Sequence, residues 1–312
     1  MIESRRKSRG FSLVEIAMVL AILGFVLTIG LKSTGAYLSA ERRQTTVARL
    51  AGVDAALVNF VAVQRRLPCP ADGTLATGLE ARTAATGVCT AIATGVVPWV
   101  TLGLSEGEAL DAWNNRITYR TVSAVVAVVG AVPPQTNNGF TSDLALDMTN
   151  CDTAGDGGTT TVLRALGPSN QAVNTCVANG APPGCSNANL TLCTPPLNFV
   201  INRGLAIRDG FFPPTVPTGA EVMSPANGTG AAYVLISHGE NRGGAYSRAG
   251  VIQTGSPVNS ALEDINNNQA IQAFYMDAPQ VDADGANHFD DIVVRPTLTS
   301  VNTRAQLGPR VH

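Results

Sequence analysis

The chain has 312 residues, with 21 basic and 23 acidic side chains and a formal net charge of −2. Only 14% of the residues are charged, so neither a basic nor an acidic surface marks the chain as a nucleic-acid partner. The 31 glycines and 18 prolines indicate many loops and short strands.

An apolar segment occupies residues 11–31 and contains one strongly polar side chain, Glu15. As a helix it is about 31 Å long, which is enough to cross the hydrocarbon core of a bilayer. The basic residues that precede it are Arg5, Arg6, Lys7 and Arg9. Because basic residues stay on the cytoplasmic side, the pattern predicts one span, a cytoplasmic leader at residues 1–10 and a translocated remainder.

Glu15 is unusual in such a span, because an ionised carboxylate near hydrocarbon costs about 2.5–3.5 kcal/mol. One interpretation places it at the headgroup level, where it stays hydrated, since it comes only four residues after Phe11. The other interpretation pairs it with a positive charge. An ordinary secretory signal peptide is a further alternative, for which the best cleavage site is Leu38-Ser39-Ala40.

The sequence Gly-Phe-Ser-Leu-Val-Glu from Gly10 to Glu15, behind a basic leader, resembles the class III signal of type IV pilins and type II secretion pseudopilins. The resemblance implies that prepilin peptidase cuts between Gly10 and Phe11 and methylates the Phe11 nitrogen. It also implies that Glu15 pairs with the N-terminal ammonium of a neighbouring subunit, as a low-dielectric helix bundle favours. The implied partners are other pilin or pseudopilin subunits, prepilin peptidase, the inner-membrane assembly platform and inner-membrane lipid.

The helix is expected to continue through residues 32–66, because no proline occurs before Pro68. Apolar residues at steps of three and four form one face of this part. They are Val47, Leu50, Val53, Leu57, Phe60 and Val61. This stripe is expected to pack on a globular head formed by residues 67–312.

All six cysteines follow the apolar segment: Cys69, Cys89, Cys151, Cys176, Cys185 and Cys193. An even number in an oxidising compartment favours disulfides. A zinc site is the alternative, but there is no CxxC pair and no histidine near the cysteines in sequence. Cys69–Cys89 is the natural local pair. The other four allow three pairings, of which Cys151–Cys176 with Cys185–Cys193 is favoured.

Several stretches of the head have strand patterns. Residues 231–239 predict a strand, residues 291–300 predict the last strand, and residues 110–130 predict a turn followed by one or two strands. Residues 96–104 are apolar and predict either a strand or a packed loop. Residues 131–220 form a loop-rich insert. The expected fold class is α+β, with a long N-terminal helix on an antiparallel sheet and disulfide-stapled loops.

Three pieces of the head resemble the pseudopilin core. Residues 111–119 resemble its D-P-W-G-N-x-x-x-Y turn, with Ala112 and Asn114 in place of Pro and Gly. Residues 237–244 resemble its S-x-G-x-[DN]-x-x-G-G loop, and Asp291 with Ile292 matches its late D-I. In the first piece Asp111 is expected to cap the turn, and Trp113 to bury its ring.

In major pseudopilins the equivalent late loops bind calcium, so the resemblance points to hard oxygen ligands here. The candidates are Asn241, Asp282, Asp284, Asp290 and Asp291. Calcium stays an open alternative, because acidic residues in glycine-rich turns are usually only solvated. No other cofactor is expected.

Two common catalytic signatures are absent: the sequence contains neither H-E-x-x-H nor a phosphate loop. Ser237 and His238 are adjacent, and neighbours in a strand point to opposite faces, so they do not suit a nucleophile and its base. The expected function is a structural, minor subunit of a pilus or secretion pseudopilus. Its alternatives are a filament-tip adhesin or DNA- or surface-binding pilin-like protein, and a secreted soluble protein.

Overall fold

The computed structural model describes residues 13–83, 88–123, 139–141, 145–146, 200, 203–210, 219–254, 260, 262–267, 274–281 and 288–307. The side chains of residues 26–36 are outside this part as well. The chain divides into two compact units, Met1–Gln44 and Thr45–His312. Some predicted features lie outside the described residues: Gly10, Phe11, Cys151, Cys176, Cys185, Cys193, Asp282, Asp284 and most of the insert.

The first element is helix α1, Leu13–Gln64. It ends shortly before the expected end at Arg66, because Arg65 takes a left-handed backbone conformation with φ 57°. The Arg65 N–H still donates to the Val61 carbonyl at 2.7 Å, which closes the last turn. Pro68 then prevents any return to helical hydrogen bonding.

Within the second unit, one face of α1 lies in the core. Leu50, Val53, Leu57 and Val61 are each at most 1% exposed, as the stripe predicts. Burial of each such side chain contributes about 1.5–3 kcal/mol. The ends of the stripe differ from expectation: Val47 is exposed and Phe60 half-buried, whereas nearby Thr46 is buried.

The main sheet of the second unit has five strands among the described residues. They are β1 (Ala71–Asp72), β2 (Gly95–Val96), β4 (Thr118–Thr121), β7 (Tyr233–Ser237) and β10 (Ile292–Val294). The spatial order is β1-β2-β4-β7-β10, and every pairing is antiparallel. Strand β7 is buried at all five positions, in agreement with its apolar run and its prediction as a strand.

Two smaller sheets are also present among the described residues. Strand β3 (Asn115–Arg116) pairs with β8 (Tyr246–Ser247). Strand β5 (Ala206–Arg208) pairs antiparallel with β6 (Glu221–Met223) and parallel with β9 (Phe274–Met276). Helix α2 is Glu263–Asn267. The fold class is therefore α+β, with an antiparallel main sheet, as the sequence predicts.

The prediction of a last strand at residues 291–300 is only partly correct. Strand β10 stops at Val294, and helix α3 follows at Leu298–Arg304. Pro296 has no N–H with which to extend the ladder. The Thr297 hydroxyl accepts the Ser300 N–H at 3.1 Å, so Thr297 is the N-cap of the new helix.

Cys69 and Cys89 form a disulfide, in the pairing that their local spacing favours. With Ile92 they make a small buried apolar cluster. The disulfide closes a loop in the segment that connects the end of α1 with β2. This region also contains the partly buried ion pair of Arg66 with Glu80, whose closest N–O distance is 2.7 Å.

Candidate functional site

The first turn of α1 contains Glu15 within an exposed apolar surface. Exposed fractions there run from 51% for Ile16 to 86% for Leu13. The exposed apolar side chains are Leu13, Val14, Ile16, Met18, Val19, Leu20, Ile22, Leu23 and Phe25. A continuous apolar surface of this size marks contact with lipid or with other helices.

Helix α1 contains two apolar stretches that are candidates for the membrane-spanning segment. Among the described residues, Tyr37–Gln64 is long and apolar enough to cross a membrane, and Leu13–Phe25 is a shorter apolar stretch. The first contains Leu50 and Leu57, which are already buried in the second unit. The exposed N-terminal stretch therefore fits a membrane anchor better.

Glu15 is the predicted assembly residue that the structure describes. It lies within the first turn of α1, where a negative charge is favoured by the helix dipole and the unpaired N–H groups. Its side chain is exposed in the first unit. An acid placed here in an otherwise apolar surface can meet a positive charge from outside the subunit.

In the second unit, Asp111 organises the turn before β3. Its Oδ1 accepts the backbone N–H groups of Trp113 at 3.0 Å and Asn115 at 2.8 Å. Its Oδ2 accepts the Ser237 hydroxyl at 2.9 Å. Burial raises the pKa of Asp111 to about 6, although these hydrogen bonds favour the charged form. Asp111 therefore caps the turn, as predicted, and fixes it to β7.

The two departures from the family's turn pattern are accommodated by the backbone. Asn114 has φ 66°, in the left-handed region that glycine favours and that asparagine tolerates best among other residues. The Ala112 N–H, which proline would lack, donates to the Thr46 hydroxyl of α1 at 3.1 Å. Arg49 also donates to the Asp111 carbonyl at 2.9 Å. The turn therefore anchors α1 to the sheet.

Ser237 and His238 do not form a catalytic pair. The Ser237 hydroxyl donates to Asp111, whereas the His238 ring lies 2.8 Å from both Thr118 Oγ1 and Asn267 Oδ1. His238 is 1% exposed, and burial together with the Arg120 charge lowers its pKa to about 3. This imidazole is neutral, buried and engaged by its neighbours.

The late loops bring together a buried group that we call the acidic cluster: Asn241, Glu263, His288, Asp290 and Asp291. Asp290 Oδ2 accepts the backbone N–H groups of Glu240 at 2.7 Å and Asn241 at 3.0 Å. Glu263 Oε1 accepts the Asp290 N–H at 3.0 Å, and its Oε2 accepts the Asn241 amide at 2.9 Å. Two of the residues proposed as oxygen ligands, Asn241 and Asp290, thus meet at Glu263, whereas Asp291 Oδ2 accepts the Asn266 amide.

Negative charge is costly in the acidic cluster. Burial raises the pKa of Glu263 and brings that of Asp291 well above its usual range, and the Asp290 charge adds to both effects. A cation placed among these carboxylates would relieve this cost.

Glu263 and His288 were not among the ligands predicted from the sequence. Ser260 and Glu263 form a capping box, in which the Glu263 N–H donates to the Ser260 hydroxyl and the Ser260 N–H to the Glu263 carboxylate. The S-x-x-E spacing is a sequence signal for this cap. Nothing in the sequence indicates that Glu263 lies beside Asp290, because that contact depends on tertiary packing.

The described part of the cluster has few free oxygens for calcium, and the predicted ligands Asp282 and Asp284 lie outside the described residues. Calcium takes six to eight oxygen ligands. The Asn241 amide is already engaged, since its Nδ2 donates to Glu263 and its Oδ1 accepts the Gly243 N–H. Among the described acidic side chains of the cluster, the buried oxygens without a hydrogen-bond partner are Oδ1 of Asp290 and Oδ1 of Asp291. His288 presents nitrogen rather than oxygen to the carboxylates.

Comparison with known proteins gives one family match. Residues 5–31 match the model of the prokaryotic N-terminal methylation motif. No curated protein and no solved structure matches the chain. The match covers the basic leader, the Gly10–Phe11 junction, Glu15 and the apolar segment. The chain thus carries the N-terminal methylation signal of type IV pilins and pseudopilins, which fits a membrane-anchored, pilin-like precursor.

Proposed function

We propose that this chain is a structural, minor subunit of a type IV pilus or type II secretion pseudopilus. The observation that carries the proposal is the methylation motif, which coincides with an exposed apolar helix that has Glu15 in its first turn. A surface of this kind requires lipid before assembly and neighbouring helices after it.

Processing comes first in this mechanism. Prepilin peptidase cuts between Gly10 and Phe11, which removes the basic leader and creates an ammonium group on Phe11. Glu15 then lies four residues from that new terminus, about 6 Å along a helix. In a staggered bundle, the Glu15 carboxylate of one subunit meets the Phe11 ammonium of its neighbour, so both charges are compensated out of water.

Assembly follows from the same helix. Before assembly, the subunit is anchored in the inner membrane with its N-terminus in the cytoplasm and its head in the periplasm. The assembly platform then transfers residues 11–31 from lipid into the filament. The Cys69–Cys89 disulfide supports a periplasmic head, because such bonds persist in oxidising compartments.

A minor role is inferred from the size of the head, residues 67–312. A head of this length repeated at every position would crowd its neighbours along a filament. A subunit used once or a few times, at or near the tip, avoids this crowding.

The first test is the mature N-terminus. Mass spectrometry of the chain purified from membranes is expected to find a start at methylated Phe11. A start at Glu41 would instead support cleavage by an ordinary signal peptidase after Ala40, and would contradict the proposal.

The second test removes the assembly charge. Glu15→Val is expected to leave membrane insertion and peptidase cutting intact, since Gly10 and Phe11 are untouched and a costly charge leaves the span. Incorporation into sheared filaments is expected to fall at least tenfold, because the ammonium of a neighbour loses its partner. The matched control is Glu41→Val, which removes an exposed acid farther along the same helix. If Glu15→Val entered filaments as well as Glu41→Val and the unaltered chain do, Glu15 would be a hydrated acid at the headgroup level.

A further inference from the structure

Three side chains of the acidic cluster point ligand atoms at one another: Glu263, His288 and Asp290. The His288 Nε2 atom lies 3.7 Å from Glu263 Oε1 and 3.8 Å from Asp290 Oδ2. These separations are too long for hydrogen bonds and short enough for shared coordination. All three residues are buried: Glu263 is 0% exposed, and His288 and Asp290 are each 7% exposed.

His288 supplies an independent reason to expect a ligand. Its side chain is 9% exposed, and neither ring nitrogen has a hydrogen-bond partner in the described part of the chain. Buried polar nitrogens without partners are rare, because each loses its bond to water without replacement. A group bound between the imidazole and the two carboxylates would give a His288 nitrogen the partner that it lacks.

The chemistry of the group follows from its ligands. An imidazole nitrogen with two carboxylate oxygens is a donor set for a borderline transition-metal ion, whereas calcium and magnesium favour oxygen alone. In a tetrahedral zinc site with bonds of about 2.0–2.1 Å, ligand atoms lie about 3.4 Å apart. The two imidazole–carboxylate separations therefore need to contract by only a few tenths of an ångström, and all three ligand atoms lie within 4.8 Å of one another.

We propose that Glu263, His288 and Asp290 bind a divalent transition-metal ion of the zinc class. The ion would tie α2, which begins at Glu263, to the segment that leads into β10. The loop after β7 joins the same site, because the Glu240 and Asn241 N–H groups donate to Asp290. The ion would join two separate segments of the head directly, and Asp290 extends the connection to the loop after β7. The proposal does not depend on the role in a filament.

The test uses the full-length chain in detergent, freed of metal by a chelator, with its disulfides oxidised. Zinc chloride at about 100 times its dissociation constant is expected to raise the unfolding temperature by about 5–10 °C. The same concentration of calcium chloride is expected to give no shift. Cobalt chloride is expected to produce visible absorption bands from the bound ion.

The variant His288→Gln removes the nitrogen ligand and is expected to lose both the zinc shift and the cobalt bands. Asp277→Asn is the matched control, because Asp277 is a partly exposed carboxylate that pairs with Arg295 outside the cluster. It is expected to respond to zinc as the unaltered chain does. If His288→Gln does not fold, the unaltered chain still decides the question by its zinc, calcium and cobalt responses.

Two outcomes would overturn the proposal. Stabilisation of the unaltered chain by calcium, undiminished in His288→Gln, would identify an oxygen-only site. Absence of any response to zinc or cobalt would show that Glu263, His288 and Asp290 do not bind a metal of this class.

Discussion

His238 is neutral in the folded protein, because burial and the Arg120 charge lower its pKa to about 3. In the unfolded chain the same ring titrates near 6.5. Between these values the unfolded state binds more protons than the folded state. The contribution of His238 to stability is therefore present above pH 6.5 and is lost as the pH falls towards 3, by up to about 1.4 kcal/mol per pH unit.

The corresponding experiment measures the free energy of unfolding in urea at pH 7.5 and pH 5. We expect it to fall more for the unaltered chain than for His238→Gln. Asp111 acts in the opposite direction, since its folded pKa of about 6 favours the protonated folded form at low pH. Its effect cancels when the two chains are compared. Identical pH slopes would show that His238 does not titrate in this way.

At the scale of single residues, hydrogen bonds between near neighbours in the sequence were predictable, and contacts between distant residues were not. The cap formed by Asp111 depends on N–H groups two and four residues away, so the turn sequence is enough to predict it. The meeting of Glu263 with Asp290 joins residues 27 positions apart. Only the packing of α2 against the late loops decides that contact, and no local pattern encodes it.

Helix α1 gives the clearest test at the scale of elements. Leu57 is fully buried in the second unit, whereas Val63, on the same helix, is 75% exposed. We expect Leu57→Ala to lower the free energy of unfolding by about 2–5 kcal/mol, because it removes apolar contacts and leaves a cavity. Val63→Ala is expected to change it by less than about 0.5 kcal/mol.

Urea denaturation followed by near-ultraviolet circular dichroism measures both variants under the same conditions. Similar losses of unfolding free energy in the two variants would mean that packing of the stripe does not hold α1 on the head.

The elements themselves were predictable where the hydrophobic period is strong. The stripe of α1 and the apolar run of β7 both follow from it. The predicted burial of Val47 was wrong. Thr46 is buried there instead, because it accepts the Ala112 N–H from the neighbouring turn. The predicted strand was also wrong at residues 298–300, where the capping hydroxyl of Thr297 outweighs a strand-like composition.

At the scale of the whole molecule, the Cys69–Cys89 disulfide closes a loop of sequence separation 20. Loop-closure entropy for this length predicts a contribution of about 3 kcal/mol to stability. The double variant Cys69→Ala with Cys89→Ala is expected to lose that amount in urea denaturation. Dithiothreitol is expected to destabilise the unaltered chain and to affect the double variant less. A double variant as stable as the parent would show that the loop is held by the Arg66–Glu80 pair instead.

The hydrogen bonds of Asp54 have a consequence for the timing of synthesis. This residue of α1 accepts from Tyr233, 179 residues later, and from Arg304, 250 residues later. At ribosomal speeds of about 5–20 residues per second, Asp54 is made about 12–50 s before Arg304. The part of α1 around Asp54 therefore lacks these two partners until almost the whole head has been made. A newly made chain of this kind needs a chaperone, or rapid delivery to the membrane, to protect that part from aggregation.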